Sequence, residues 1–159
     1  IVPEDSRLYV PSYWFERFGF EEDPYEIIEG LSHEVEYFED ALEVLDSLDG
    51  AYELIIVSNA HRKFLEVQTK AIEDYFSKMY SCVSDLGSIK KDSEVYKRIC
   101  EDIGIDPQDL IHVGDDKKFD YDLPREVGIR AFFINRSGSE ENGEDFITDL
   151  RELLPLIYD

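Results

Sequence analysis

The chain alternates between short apolar runs and longer stretches in which apolar residues recur at helical intervals. Each run is nearly continuous in aliphatic and aromatic residues, as parallel strands buried on both faces require. The four runs are Glu53–Val57, Met79–Val83, Leu110–Val113 and Arg130–Asn135. The pattern therefore predicts four strands of a parallel sheet.

The stretches between these runs carry helix signals. Phe38–Leu48 and Phe64–Phe76 place their apolar residues on one helix face. A third helix is predicted to open at Asp92-Ser93-Glu94 and to end at Gly104, and Asp106-Pro107 predicts a short capped turn before the third strand. Strands that alternate with such helices indicate β-α-β units, so the predicted fold class is α/β, a Rossmann-like parallel sheet with helices on both faces.

The first 35 residues differ from this pattern because they are rich in aromatic residues and lack a clear strand. They form two short amphipathic stretches that break at Asp23-Pro24, and only Leu8-Tyr9-Val10 has strand character. Two interpretations stay open for this region: helices that pack on the core, or a lid over a pocket.

Composition and charge exclude several classes of partner. The chain has 159 residues, of which 43% are apolar and 13% aromatic, so it can bury a sizeable core. Its formal charge is −22, with 38 acidic against 16 basic residues. Such a field repels nucleic acid and anionic lipid surfaces, and we therefore expect neither as a partner.

Cysteine usage and hydropathy indicate the setting. Cys82 and Cys100 are too few for a disulfide framework, and no Cys or His spacing suits zinc, so we expect a reduced cytoplasmic environment. No apolar run approaches the roughly 20 residues that span a bilayer, and a soluble protein is expected. A chain that begins Ile-Val without Met also looks cut from a longer protein.

Candidate chemistry follows three of the predicted strands, at the edge of the sheet where ligands bind. Ser58-Asn59 after the first strand could hold a phosphate oxygen, or could simply cap a helix. Lys90 and Lys91 lie in the loop after the second strand, where a lysine could neutralise an anion or a carboxylate, or remain solvated.

The acidic turn after the third strand carries the strongest signal. Asp115, Asp116 and Asp120 place three carboxylates within six residues of a buried strand end. Crowded carboxylates need a cation or protons, and hard oxygen ligands suit Mg²⁺. The alternative is an ordinary Gly-Asp turn whose aspartates cap the next helix.

The order of these three motifs resembles the second, third and fourth motifs of the haloacid dehalogenase superfamily. The resemblance covers about Glu36 to Arg136, two thirds of the chain. Lys90 falls on the motif lysine, although Lys91 stands where a proline is common, so either lysine could act. The matching segments are Ile55–Asn59, Gly87–Tyr96, Val113–Asp115 with Asp120, and Pro124–Ile129.

The resemblance implies a Mg²⁺-dependent phosphatase of the branch with a helical cap, which hydrolyses small phosphate monoesters through an aspartyl-phosphate. Ser58 and Asn59 would bind the phosphoryl oxygens, and Lys90 would stabilise the negative charge of nucleophile and phosphoryl group. Asp115 would ligate Mg²⁺, and Asp120 would be a further ligand or would support the first, with Asp116 as a hydrogen-bonding neighbour. Residues 1–35 would be a partial helical cap or linker, and residues 36–159 the α/β core.

The chain departs from the family at the first motif. A strand ending in Asp-x-Asp should precede the cap, but the only such spacing is Asp120-Tyr121-Asp122, after the fourth motif. Without that central strand, the strands at Ile55–Val57 and Ile111–Val113 would lie about 9.6 Å apart with open edges. We therefore expect an N-terminal strand segment of the same protein to carry the nucleophile, and the 159 residues alone to be inactive.

Other interpretations stay open beside the phosphatase. A non-catalytic phosphate- or protein-binding module would make the missing motif genuine. A dehalogenase shares the fold but needs no Mg²⁺, and the acidic turn argues against it. His61 is expected to be a solvated residue at a helix start, and His112 a core residue with a satisfied ring nitrogen.

Overall fold

A computed structural model describes residues 5–90, 92–138, 143 and 145–158. These residues form parallel strands and helices, and the fold class is α/β, as predicted. The elements in chain order are α1 (Pro11–Phe18), α2 (Pro24–Gly30), α3 (Glu39–Leu48), β1 (Leu54–Ser58), α4 (Arg62–Thr69), β2 (Phe76–Ser81), α5 (Cys82–Asp85), α6 (Glu94–Ile103), β3 (Ile111–Gly114), a π-helix (Lys117–Asp122), α7 (Leu123–Glu126), β4 (Arg130–Ile134), β5 (Phe146–Ile147) and α8 (Leu154–Ile157). Short 3₁₀ turns occupy Ser6–Tyr9, Ser32–Glu34, Glu73–Tyr75, Pro107–Asp109 and Leu150–Leu153.

The chain divides into two compact units. The first unit consists of the described parts of residues 1–37 and 48–89, and the second unit consists of the described parts of residues 38–47 and 90–159. The domain division expected from the sequence, residues 1–35 against 36–159, stays a prediction.

The N-terminal segment of the first unit is helical. The Asp5 carboxylate accepts the Arg7 N–H and caps a 3₁₀ turn over Ser6–Tyr9, so the prediction of strand character at Leu8-Tyr9-Val10 is wrong. Proline begins both following helices, where its missing N–H costs no hydrogen bond. The predicted break at Asp23-Pro24 is confirmed, with Asp23 as the cap of α2.

The sheet of the first unit has two parallel strands, β1 and β2, with Ser58 opposite Ser81 at their carboxyl ends. The sequence prediction placed the second strand at Met79–Val83, which is too late, because α5 begins at Cys82. The helix predicted to continue to Phe76 ends at Thr69. The Thr69 hydroxyl donates to the Leu65 carbonyl and competes for the helical acceptor, as Thr side chains commonly do near helix ends.

The sheet of the second unit has the order β3-β4-β5, and all three strands are parallel. Helix α6 ends at Gly104, whose φ of 74° is the left-handed conformation expected of the predicted glycine stop. The two-residue strand β5 was not predicted, because Phe146–Ile147 is too short to show a period.

Only part of the predicted strand burial is correct. Four of the five residues of β4 are buried, whereas every residue of β1 and β3 is partly exposed. Strand β4 lies between two other strands, whereas in the described part of the chain β1 pairs only with β2 and β3 only with β4. These residues supply no strand for the second edge of β1 or of β3.

Helix α3 is bonded to the C-terminal part of the second unit through two acidic side chains and one backbone carbonyl. The buried Asp40 carboxylate accepts the Arg136 guanidinium at 2.8 Å and the Leu150 N–H at 2.7 Å. Burial alone would raise the pKa of Asp40, but these two donors hold it below its ordinary value. Glu43 pairs with Arg151, and the Ser47 carbonyl accepts the Tyr158 hydroxyl at 3.0 Å. One helix is thus attached to segments about a hundred residues away.

Cys82 and Cys100 are both buried and form no disulfide, and burial raises the pKa of the Cys100 thiol. In the described ranges, no helix combines the length and apolar character needed to cross a membrane. The cytoplasmic location stays a prediction.

Candidate functional site

The turn after β1 is built from neutral hydrogen bonds. Ser58 ends the strand, and its Oγ accepts the Ala60 N–H at 3.1 Å. Asn59, between them, is buried. The fully buried Ser81 hydroxyl donates to the Ala60 carbonyl at 2.8 Å. Both backbone groups of Ala60 are therefore fixed by serines of neighbouring strands, which holds the Ser58 hydroxyl at the strand end.

Residues behind this turn secure helix α4. The Arg62 guanidinium donates to the Met79 carbonyl at 2.9 Å and pairs with the Asp85 carboxylate. The same carboxylate accepts the Ser81 N–H at 2.8 Å. This ion pair is only partly exposed, so it anchors the start of α4 to the end of β2 rather than presenting a free cation.

His61 precedes α4 and lies on the aromatic N-terminal segment. Its Nδ1 accepts the Lys63 N–H at 3.3 Å, and its ring lies 5.1 Å from the Tyr25 ring, centroid to centroid. Burial lowers the pKa of His61, and nearby Glu66 only partly opposes this effect. The expectation of a solvated histidine is thus wrong: His61 is half-buried, and the Tyr25 contact could not be inferred from chain spacing.

An apolar cavity of about 400 Å³ lies beside this turn, within the first unit. Helices α1, α2 and α4 supply its walls together with Ala60 and the first 3₁₀ turn. Its lining includes Leu8, Tyr9, Trp14, Ala60, Phe64 and Gln68. The N-terminal segment therefore lines a pocket next to the candidate phosphate-binding turn, and its interpretation as a lid stays a prediction.

The second unit holds a buried ion pair between Lys90 and Asp120. Both residues are buried, and Lys90 Nζ bonds directly to Asp120 Oδ1. The two side chains come from segments 30 residues apart in the chain. Lys90 was predicted from its position before a helix, where it could neutralise a carboxylate, and Asp120 from the acidic turn, but chain spacing did not identify Asp120 as that carboxylate.

His112 and Tyr96 complete a network around Asp120. His112 Nε2 lies 3.1 Å from Asp120 Oδ1. The Tyr96 hydroxyl donates to the Phe119 carbonyl, and its oxygen lies 3.4 Å from Asp120 Oδ1. Burial alone would raise the pKa of Asp120, but the His112 hydrogen bond and the Lys90 charge hold it well below its usual range. Asp120 is therefore a carboxylate over the whole neutral range.

Tyr96 and His112 were not predicted as site residues. His112 was expected to be a core histidine with a satisfied nitrogen, and its partner is now identified as Asp120. A polar residue inside an apolar strand run is the signal that pointed to a buried partner. Tyr96 lies on the buried face of α6, where its hydroxyl needs an acceptor, but spacing alone does not identify which one.

Gly114 brings the strand end close to Asp120. A Cβ at Gly114 would lie 2.5 Å from Asp120 Cγ, so no larger residue fits without movement. The Asp116 N–H donates to Asp120 Oδ2 at 3.2 Å, and the Asp116 carboxylate accepts the Phe119 N–H at 2.8 Å. Asp116 thus behaves as the predicted hydrogen-bonding neighbour and caps the π-helix.

The donor set around this turn bears on Mg²⁺. Asp115 is exposed directly after β3, whereas both Asp120 oxygens already accept hydrogen bonds from protein donors. Among the residues that the structure describes, no three His, Cys, Asp or Glu side chains are grouped as a metal site. Mg²⁺ usually takes one or two carboxylates and completes its shell with water and substrate oxygens, so Asp115 fits as a ligand with Asp120 supporting it.

The predicted site residues fall in both units. Ser58 and Asn59 belong to the first unit, and Lys90, Asp115 and Asp120 to the second. Lys91, the alternative lysine, lies outside the described residues. Their assigned roles stay predictions.

Comparison with known proteins gives a consistent family assignment. Residues 17–134 match the family described as haloacid dehalogenase-like hydrolase. A curated relative, (S)-2-haloacid dehalogenase 4A from Burkholderia cepacia, is 29% identical over 132 residues. These cover 78% of this chain and 56% of that protein, so the chain spans little more than half of that relative's length.

Solved structures share the fold at low sequence identity. A HAD phosphatase from Thermococcus onnurineus is 24% identical with a TM-score of 0.85, over 98% of this chain and 74% of that chain. A HAD family enzyme from Bacteroides thetaiotaomicron, solved with magnesium and inorganic phosphate, is 22% identical with a TM-score of 0.63, over 84% of this chain and 69% of that chain.

Proposed function

Because the chain belongs to the haloacid dehalogenase-like hydrolase family, we propose that it is part of a Mg²⁺-dependent phosphatase for small phosphate monoesters. The observation that carries the proposal is the acidic turn after β3, where exposed Asp115 lies beside a carboxylate already neutralised by Lys90. An exposed acid at a strand end, next to a satisfied one, leaves a place for a divalent cation.

Each residue has a proposed task. Ser58, held by the hydrogen-bonded turn, donates its hydroxyl proton to a phosphoryl oxygen, with help from the Asn59 backbone N–H. Lys90, fixed by Asp120, stabilises negative charge on the nucleophile and the phosphoryl group. Asp115 holds Mg²⁺, which when bound supplies charge neutralisation to the phosphate oxygens. Asp120 orients Lys90 and supports the metal-binding turn.

The proposed reaction proceeds through an aspartyl-phosphate. A carboxylate attacks phosphorus and the alcohol leaves with a proton from a second acid, after which water hydrolyses the acyl phosphate. The 159 residues contain no matching first motif, so we propose that the reacting aspartate comes from a further segment of the same protein.

The Burkholderia relative favours dehalogenation as a second candidate function. A dehalogenase attacks carbon instead of phosphorus and needs no metal, so it would leave the acidic turn without a task. A non-catalytic binding module on the same scaffold is the third possibility.

The test uses the full-length native protein, with its intact mass measured first. Hydrolysis of p-nitrophenyl phosphate is followed with Mg²⁺ and with EDTA, and chloride release from 2-chloropropionate is followed in parallel. We expect Mg²⁺-dependent phosphate release and no chloride release. Chloride release without phosphate release would identify a dehalogenase, and the absence of both reactions would leave the binding module.

A variant pair sharpens the assignment. Asp115→Asn should reduce Mg²⁺-dependent turnover at least about a hundredfold, because it removes the charge of a metal ligand. Asp109→Asn, an exposed acid just before β3, is the matched control and should retain turnover. Equal activity of the two variants would overturn the role of Asp115.

A further inference from the structure

We propose that the cavity beside Ser58 binds the aryl or branched alkyl group of a phosphate monoester. The inference rests on the proposed phosphatase function and adds the class of substrate. It makes the N-terminal helical segment the part of the chain that selects the organic group.

The size of the cavity suits one such group. Its volume of about 400 Å³ falls within the range of small-molecule sites, which is roughly 300–1,000 Å³. Trp14 and Phe64 supply aromatic faces, and Leu8 supplies an aliphatic one. A ring or branched chain that enters this space would exchange water for close contact with carbon atoms.

The cavity is continuous with the candidate phosphate-binding turn through a single residue. Ala60 lines the cavity, and its N–H is bonded to Ser58 Oγ. A ligand whose apolar end lies against the Ala60 methyl group therefore has its polar end near the Ser58 hydroxyl. A phosphate monoester with an apolar group has this two-ended character.

The walls disfavour polar groups such as sugars. The Trp14 indole N–H is already donated to the Leu8 carbonyl at 3.1 Å, so it is not available to a ligand hydroxyl. Tyr9 and Gln68 are the other lining residues with polar side-chain atoms. A polyol would bury several hydroxyls against carbon, and each unmatched hydroxyl opposes binding. The lining therefore selects for aryl and alkyl esters over sugar phosphates.

The test uses non-hydrolysable phosphonates and the fluorescence of Trp14. Trp14 is the single tryptophan of the chain and lines the cavity, so its emission reports occupancy without any turnover. The full-length protein with Mg²⁺ is titrated with phenylphosphonate, methylphosphonate and inorganic phosphate. We expect phenylphosphonate to shift the emission and to bind at least about tenfold more tightly than methylphosphonate.

A matched pair of variants assigns the effect to the cavity. Phe64 is 37% exposed and lines the cavity, whereas Leu31 is 53% exposed and does not. Both side chains are exposed enough that truncation should leave the fold intact. Phe64→Ala should weaken the binding of phenylphosphonate about five- to tenfold and leave the affinity for methylphosphonate unchanged. Leu31→Ala should change neither affinity.

The outcomes separate this inference from the proposed function. Equal affinity for phenyl- and methylphosphonate, unchanged by Phe64→Ala, would overturn the cavity assignment even if Mg²⁺-dependent hydrolysis is observed. Phe64-dependent binding of phenylphosphonate supports the cavity assignment even if no phosphate ester is hydrolysed, a result that would overturn the phosphatase alone. If no phosphonate binds and no ester is hydrolysed, both proposals are wrong.

Discussion

The turns after β1 and β3 both follow the carboxyl end of a parallel strand, but different forces stabilise them. The first turn is held by two neutral hydrogen bonds at Ala60, whose N–H is accepted by Ser58 Oγ and whose carbonyl accepts the Ser81 hydroxyl. The second is held by a buried ion pair, Lys90 with Asp120, to which His112 adds a further contact.

The difference predicts how each turn fails. A neutral hydrogen bond contributes about 1 kcal/mol net, so the first turn should weaken in small steps. Removing one partner of a buried ion pair leaves the other charge buried without compensation, so a single substitution should strongly destabilise the second turn. The second turn should also respond to acid, whereas the first should not. Four measurements test this contrast, in order of decreasing effect.

Lys90→Met should produce the largest loss. The buried Asp120 carboxylate would lose its cation, and we expect the free energy of unfolding to fall by about 3–5 kcal/mol at pH 7. Urea denaturation measures the change. Lys97→Met is the control, because Lys97 is an exposed helix lysine paired with Glu94, and its loss should be below about 0.5 kcal/mol. Similar losses in both variants would refute the contrast between the two turns.

Acid should weaken the second turn selectively. The pKa of Asp120 is lower in the folded protein than its ordinary value of 3.8, so its stabilisation is complete above that value and is lost as the pH falls through the folded pKa. We expect a loss on the order of 2–3 kcal/mol from this group. The pKa of Asp40 is also lowered, so it adds to the acid response with the same sign.

Comparison of variants isolates the contribution of Asp120 to the acid response. In urea denaturation at a series of pH values below 5, Asp120→Asn should give a shallower loss of stability than the unchanged protein. Asp40→Asn should still show the loss of stability with falling pH that is due to Asp120. Parallel curves for the unchanged protein and Asp120→Asn would show that Asp120 does not carry this response.

Gly114→Ala should destabilise the second turn sterically. The new Cβ would lie 2.5 Å from Asp120 Cγ, and relief requires movement of a buried, charged side chain. We expect a loss of about 1–3 kcal/mol, measured as a lower urea midpoint. Gly30→Ala is the control, since nothing lies within 4 Å of a Cβ at Gly30, and it should be neutral or slightly stabilising. An unchanged midpoint for Gly114→Ala would mean that this strand end accommodates a methyl group that the distance to Asp120 does not allow.

Ser81→Ala should produce the smallest loss, about 1–2 kcal/mol, because it removes the hydrogen bond to the Ala60 carbonyl and the cap of α5, in which Ser81 Oγ accepts the Ser84 N–H. Ser77→Ala, on the same strand but exposed, should cost less. Both are measured by urea denaturation at neutral pH and again at low pH. A loss as large as that of Lys90→Met would contradict the assignment of the first turn as a graded, neutral structure.

Sequence patterns identified most elements of the fold but misplaced some boundaries. Strands β1, β3 and β4 agree with their predicted runs to within a residue or so, because continuous apolar runs are a strong signal. Strand β2 was placed too late, because its exposed residues Ser77 and Lys78 hide the early part of the strand. The N-terminal 3₁₀ turn over Ser6–Tyr9 was mistaken for a strand, because its cap by Asp5 depends on local geometry that the apolar pattern does not show.

Some residues of the candidate site could also be predicted from the sequence. Motif order alone drew attention to Ser58, Lys90 and the acidic turn. The partner of His112 and the direct bond from Lys90 to Asp120 could not be predicted, because both depend on how α6 and the π-helix pack against β3. The residues that line the cavity could not be predicted either, because they are separated by up to 60 positions in the chain.

Helix α3 has a consequence for how the protein is made. Its Asp40 bonds to Leu150, which lies 110 residues later in the chain. At translation rates of about 5–20 residues per second, α3 leaves the ribosome roughly 5–20 s before its partners exist. During that interval the acidic side chain and the apolar face of the helix depend on water or on chaperones. A stalled or shortened nascent chain would therefore expose this helix first.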